Sequence, residues 1–213
     1  MKLLVPIKRG IFRGGSANRD VKSVSDFFKC QSQAFGVNPD YYAFLGIKGH
    51  NGLDISYDDG TEVFASHDGV AVTAEDSMKG LGVVVQDHEK KTIYWHLKSF
   101  AVDNGQRVKA GELLGLGDST GFSTGSHLHF GLKLLDSNGN VLNRDNGFDG
   151  AVDPTPYFVE NDHHTMTEKE VQDLYRLAFY RLPDAEELSY WTGRLLSDFL
   201  KTAIADRAAF LSQ

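Results

Sequence analysis

Two stretches hold the side chains best equipped for chemistry. They are His50-Asn51-Gly52-Leu53-Asp54 and, more than seventy residues later, His127-Leu128-His129. An imidazole and a carboxylate four positions apart, with two imidazoles two apart, supply the side chains of a catalytic zinc site. Such a site needs three protein ligands and an open position, and a spare histidine can move protons. In an extended chain side chains alternate faces, so His127 and His129 point one way and Leu128 the other. The even separation of His50 and Asp54 gives them a common face on a strand, although four residues also suit a helix. Gly46, Gly49, Gly52 and Gly60 oppose a helix there, so a loop entering a strand near Leu53-Asp54-Ile55 is expected.

A β scaffold must position these groups. Short β-branched runs alternate with Gly, Asp and Asn turns: Val63-Phe64-Ala65, Gly69 to Thr73, Gly82 to Gln86, Lys91 to Trp95 and His127 to Leu135. That spacing predicts a largely antiparallel β domain, with a hairpin turn at Ser137-Asn138-Gly139-Asn140. His67, His88, His163 and His164 lie in polar turns or connectors and are expected to be structural or solvent-facing. His50, His96, His127 and His129 fall in or beside apolar, strand-like runs. Tyr94, one strand repeat before His96, either shares its face or packs.

Three segments carry a specific resemblance: Gly49-His50-Asn51-Gly52-Leu53-Asp54-Ile55, Tyr94-Trp95-His96-Leu97, and Gly121 through His127-Leu128-His129-Phe130. With Val108 to Gly115 and Val152 to Tyr157 between and after them, residues 30 to 159 resemble the lysostaphin/LytM-type zinc metallopeptidases. The resemblance implies that His50, Asp54 and His129 ligate Zn2+ and that His96 and His127 stand beside it as catalytic histidines. It further implies His127 as general base and His96 as stabiliser of a developing oxyanion, acting on peptide bonds of bacterial peptidoglycan. A catalytically inactive relative that binds wall or activates an amidase is the alternative.

Other chemistries find less support. No His-Glu-x-x-His helix motif occurs. Gly121-Phe122-Ser123-Thr124-Gly125 spells Gly-x-Ser-x-Gly, but a strand rather than a helix follows it, so it reads as a site rim rather than a nucleophile elbow. Asp136-x-Asn138-x-Asn140 lacks the glycine and glutamate of a calcium loop, since Val141 and Gly147 stand there. The 213 residues carry 22 Lys/Arg against 29 Asp/Glu, a net charge of −7 that argues against nucleic acid as the partner. A polyanionic wall would require local basic patches that the sequence alone does not place. Cys30, the single cysteine, excludes an internal disulfide. No segment is long enough to span a membrane. The apolar start at Met1 ends too early, at Pro6 and Lys8-Arg9, for a secretion signal. The resemblance to wall hydrolases implies an extracellular or cell-wall location, and the lack of a visible signal adds phage-virion association as an expected route to it.

Beyond Asp162 the pattern becomes helical. Thr167-Glu168-Lys169-Glu170 has capping-box form, with Val171, Leu174, Tyr175, Ala178 and Phe179 at helical spacing behind it. A second helix is expected around Leu188 to Leu196 and a third from Phe199 to Leu211. This segment resembles a small helical domain of bacterial surface and phage proteins, although Tyr180 and Glu187 stand where that family has glycine. The expected organisation is a lead-in over 1–29 with a helix near Val21 to Lys29, a zinc metallopeptidase domain over 30–160, a linker over 161–166, and a small all-α domain over 167–213. The fold class is thus mainly β with a small C-terminal all-α domain. Its helices are expected to engage a protein or virion partner.

Overall fold

The computed structural model describes residues 1–159, 168–179 and 182–192. The chain divides into two units, Met1–Glu160 and Asn161–Gln213. The first holds eleven strands. They are β1 (Arg9–Ile11), β2 (Asn18–Asp20), β3 (Gln31–Gln33), β4 (Leu53–Ser56), β5 (Glu62–Phe64) and β6 (Gly69–Asp76). β7 (Gly80–Gln86), β8 (Lys90–Phe100), β9 (Arg107–Val108), β10 (Leu113–Gly117) and β11 (His127–Leu134) complete the set. β1 and β2 form a separate hairpin. The main sheet runs β3-β4-β11-β8-β7-β6-β9, with β10 branching onto β8 and β5. Every ladder between these strands is antiparallel. The mainly β architecture expected from the alternating runs is present.

The core follows from strand periodicity. Leu53 and Ile55 of β4 and Leu128, Phe130 and Leu132 of β11 are all fully buried on one face, which leaves Asp54, His127 and His129 to the other. The ring of Phe130 contacts Phe158, and Phe158 in turn contacts Phe27. Phe27 lies on α1 (Val24–Lys29), which begins later than expected because the Ser23 hydroxyl accepts from Asp26 N–H as N-cap. Residues 1–29, read above as a lead-in, contribute fully buried Leu3, Ile7 and Phe27 to this core. Leu3 also exchanges backbone hydrogen bonds with Tyr157 and Val159. Each such side chain stabilises by about 1.5–3 kcal/mol, so together they rival a typical net folding free energy of about 5–15 kcal/mol.

Two of the peripheral expectations are explained locally. The Asp136 carboxylate accepts from the backbone N–H groups of Asn138 and Asn140, which closes a turn between bridge partners Leu135 and Val141. His67 is buried between the Asp68 carbonyl and the Thr92 hydroxyl, whereas His88 is exposed. In the second unit, helices run over Glu168–Phe179 and Ala185–Trp191, the latter with a reciprocal capping box between Asp184 and Glu187. Thr167, His163, His164 and the third expected helix lie outside the described residues. Among the described residues no helix is long and apolar enough to cross a membrane.

Candidate metal centre

β4 and β11 pair in register, with His129 opposite Asp54 and His127 opposite Ser56. This brings Asp54 and His129 together on the open face. The loop before β4 delivers His50, whose backbone N–H donates to the Val37 carbonyl. Gly49 (φ +154°) permits that passage, because a Cβ there would lie 2.5 Å from the Gly36 carbonyl oxygen.

His50 Nε2, His129 Nδ1 and Asp54 Oδ1 converge. His50 Nε2 lies 2.9 Å from His129 Nδ1, and each of the two nitrogens lies 3.1 Å from Asp54 Oδ1. His50 Nδ1 donates to the Ala34 carbonyl at 3.1 Å, so its Nε2 presents a lone pair to the cluster. Lone pairs and a carboxylate meeting this closely require a cation or shared protons between them. A tetrahedron with Zn–N and Zn–O bonds near 2.0–2.1 Å has edges of about 3.3 Å, close to the observed separations. The donor set therefore fits zinc. Burial alone would raise the Asp54 carboxyl, but the adjoining His129 and His50 imidazoles outweigh it and hold it well below the usual carboxylate range. Burial pushes His129 down, toward its neutral form.

His96 reaches the site by a backbone device. Strict alternation along β8 would place it on the face of Tyr94. Instead Gly82 pairs Trp95 while Leu81 pairs Leu97, so His96 is the extra residue of a β-bulge, with φ +67°. Its carbonyl accepts from Asp118 N–H at 2.9 Å, and its Nδ1 donates to the Thr120 carbonyl at 2.7 Å. Burial lowers the His96 pKa to about 4, although the Thr120 contact opposes the shift. Tyr94 stays in the core, where its hydroxyl oxygen accepts from Ser66 N–H and Thr92; of the two readings offered, it packs. His127 is anchored in the same manner as His96, with Nδ1 donating to the Gly125 carbonyl at 2.8 Å. The rings of His96 and His127 lie 4.6 Å apart.

All five expected residues thus line one cleft of about 1080 Å³. The spacing did not single out its aromatic members. Tyr42 stacks on His50 and donates to Gln33 Oε1. Burial, aided by the Asp54 charge, raises its pKa to about 12. Trp95 lies flat against β7 because Gly82 has no side chain; a Cβ there would lie 2.2 Å from the indole. Tyr41 and Phe122 face each other across the rim. The only advance signal was the aromatic run Tyr41-Tyr42-Ala43-Phe44 just ahead of the first histidine. Ser123 Oγ lies 3.2 Å from His127 Nδ1, but that nitrogen's proton is committed to Gly125, so no lone pair is available there to take a serine proton.

A nitrogen–nitrogen–oxygen donor cluster with two further imidazoles in an open cleft defines the class: a metal-dependent hydrolase centre on a β scaffold. Residues 48–144, a little under half of the chain, match the model of peptidase family M23, a zinc-dependent family whose ion the donor set of His50, Asp54 and His129 fits. The glycyl-glycine endopeptidase ALE-1 of Staphylococcus capitis is 39% identical over 119 residues, covering 53% of this chain and 30% of that protein. The peptidoglycan DD-endopeptidase ShyA of Vibrio cholerae is 42% identical over 85 residues, covering 39% of this chain and 20% of its own length. The catalytic domain of lysostaphin from Staphylococcus simulans aligns with a TM-score of 0.50 at 28% identity, over 63% of this chain and 93% of that one. The chain spans less than a third of the length of these two curated relatives.

Proposed function

We propose that this protein is a zinc endopeptidase that hydrolyses peptide cross-links or stem peptides of bacterial peptidoglycan, with His50, Asp54 and His129 holding the ion. The observation that carries the reading is the convergence of those three donor atoms in a cleft that also gathers His96 and His127. The relatives named for glycyl-glycine and peptidoglycan endopeptidase activity support the substrate class. An inactive relative is disfavoured because none of the five side chains is missing or turned away. Substrate location places its action outside the cytoplasm, at the wall.

When bound, zinc supplies Lewis acidity and brings the pKa of water toward about 7. The roles of the two spare histidines follow from their pinned tautomers. A carbonyl only accepts, so Nδ1 carries the proton in both rings and Nε2 bears the lone pair. We assign His127 Nε2 as the proton acceptor when water attacks the peptide carbonyl and as the donor that returns the proton to the leaving amine. His96 was expected to donate to the oxyanion. Burial that keeps it neutral leaves Nε2 an acceptor, so we assign it instead to orienting the attacking water. Tyr41 and Phe122 flank the cleft as substrate walls.

The test is digestion of purified walls of differing bridge chemistry by the zinc-loaded chain, with mass spectrometry of the released fragments. Soluble peptides with new amino termini are expected, and none after chelation. Absence of new termini from every wall would overturn the proposal.

A further inference from the structure

Charge is unevenly placed along this acidic chain. Its first 30 residues carry seven Lys/Arg and two Asp, and the remainder holds 15 Lys/Arg against 27 Asp/Glu. The β1–β2 hairpin and α1 gather part of that positive charge into a small cavity of about 430 Å³ lined by Phe12, Arg13, Arg19, Phe28 and Lys29. Arg19 and Lys29 both lie over the Phe12 ring, at 5.7 and 5.5 Å, which restrains two flexible cations around an aromatic floor. Arg13 is tethered through its guanidinium to the Gln31 carbonyl at 3.3 Å. Lys29 pairs with Asp26, but among the described residues Arg13 and Arg19 have no carboxylate partner.

We infer that this cavity binds the phosphodiester groups of an anionic wall polymer, and so holds the enzyme on its substrate. Two guanidiniums without a carboxylate partner among the described residues offer planar donor forks that match tetrahedral phosphate oxygens, and the phenylalanine rings accommodate the apolar edge of a polyol or sugar unit. The hairpin also joins this cavity to the chemistry. Ile11 lines the catalytic cleft while its neighbour Phe12 lines the basic cavity, and Asn18 N–H donates to Asp58, another cleft residue. The acidic balance elsewhere favours a discrete contact over general adsorption to polyanions. The choice of a wall polymer rests on the reading of the cleft as a wall peptidase; the existence of a phosphate site does not.

The experiment compares the full chain with Arg13→Gln/Arg19→Gln and with Arg13→Lys/Arg19→Lys. Co-sedimentation is measured with walls that retain phosphodiester polymer and with the same walls stripped of it by hydrofluoric acid. Soluble poly(glycerol phosphate) is titrated in parallel. The glutamine pair should lose roughly 10–100-fold in affinity for intact walls and for the soluble polymer, the weight of one or two charge-assisted contacts. It should match the parent on stripped walls and in cleavage of a soluble peptide. The lysine pair should recover part of the binding, which separates loss of charge from misfolding. Equal binding of parent and glutamine pair to intact walls overturns the inference. So does tighter binding of the parent to phosphatidylglycerol vesicles or duplex DNA than to the polymer at equal phosphate. A chain that cleaves no wall but shows the charge-dependent polymer binding would refute the peptidase reading and leave the phosphate site standing.

Discussion

Replacing Gly52 with alanine should displace the His129 imidazole and weaken zinc retention while the β domain remains folded. A methyl group on Gly52 would lie 2.6 Å from the Phe130 carbonyl oxygen, and 2.7 and 2.9 Å from His129 Cε1 and Nε2. Favourable carbon contacts lie at about 3.5–4.0 Å, so the overlap approaches an ångström. Phe130 is paired on both sides, with Leu53 of β4 and Tyr94 of β8, so the loop or the imidazole must give way. Overpacking of this kind costs about 1–3 kcal/mol, short of the about 5–15 kcal/mol that holds a domain together. Loss of support around a ligating histidine weakens metal binding by about 10–100-fold, and that is the effect expected. Competition against a chromophoric zinc chelator measures it, with circular dichroism reporting the fold. Gly131→Ala is the control, because its methyl would make only ordinary contacts, with Ile93 at 3.4 and 3.5 Å and the Asn51 carbonyl oxygen at 3.8 Å, and zinc affinity should not change. A folded Gly52→Ala protein with parental zinc affinity would refute the reasoning.

Substituting His127 with alanine should leave zinc in place and lower turnover by about 10²–10⁴-fold, the share of a proton-transfer group; unchanged turnover would remove it from the mechanism. His67, away from the cleft, should make stability depend on pH. Burial lowers its pKa in the folded state, so its contribution is complete above the unfolded value of about 6.5 and is lost as pH falls below that value, where only the unfolded chain takes up the proton. Urea midpoints between pH 7 and 5 should therefore fall less steeply for His67→Gln than for the parent, and parallel slopes would count against the assignment.

Local periodicity made much of the site legible. The alternation of His127-Leu128-His129 is a property of any strand, and β4 obeys the same rule at Leu53-Asp54-Ile55, so both faces could be read before the pairing was known. His96 could not be placed this way. Its orientation depends on a bulge set by the registers of β7 and β10 against β8, and a positive φ at a histidine leaves no mark in the sequence. Trp95 and Gly82 are likewise complementary only across a ladder. The first 29 residues read as a lead-in because their strands are three residues long. Their role in the core comes from contacts such as Leu3 with Phe158, which no local pattern announces. The basic cavity was invisible for the same reason, since Phe12, Arg19 and Lys29 meet only when the hairpin and α1 pack together.

The most direct test of the central claim is the zinc content of the purified, metal-replete chain and of His129→Ala, measured by elemental analysis after exhaustive dialysis. One zinc per parent chain and none in the variant is the predicted result. Full occupancy in His129→Ala, or a parent chain that holds no zinc, would contradict the assignment of His50, Asp54 and His129 to the metal.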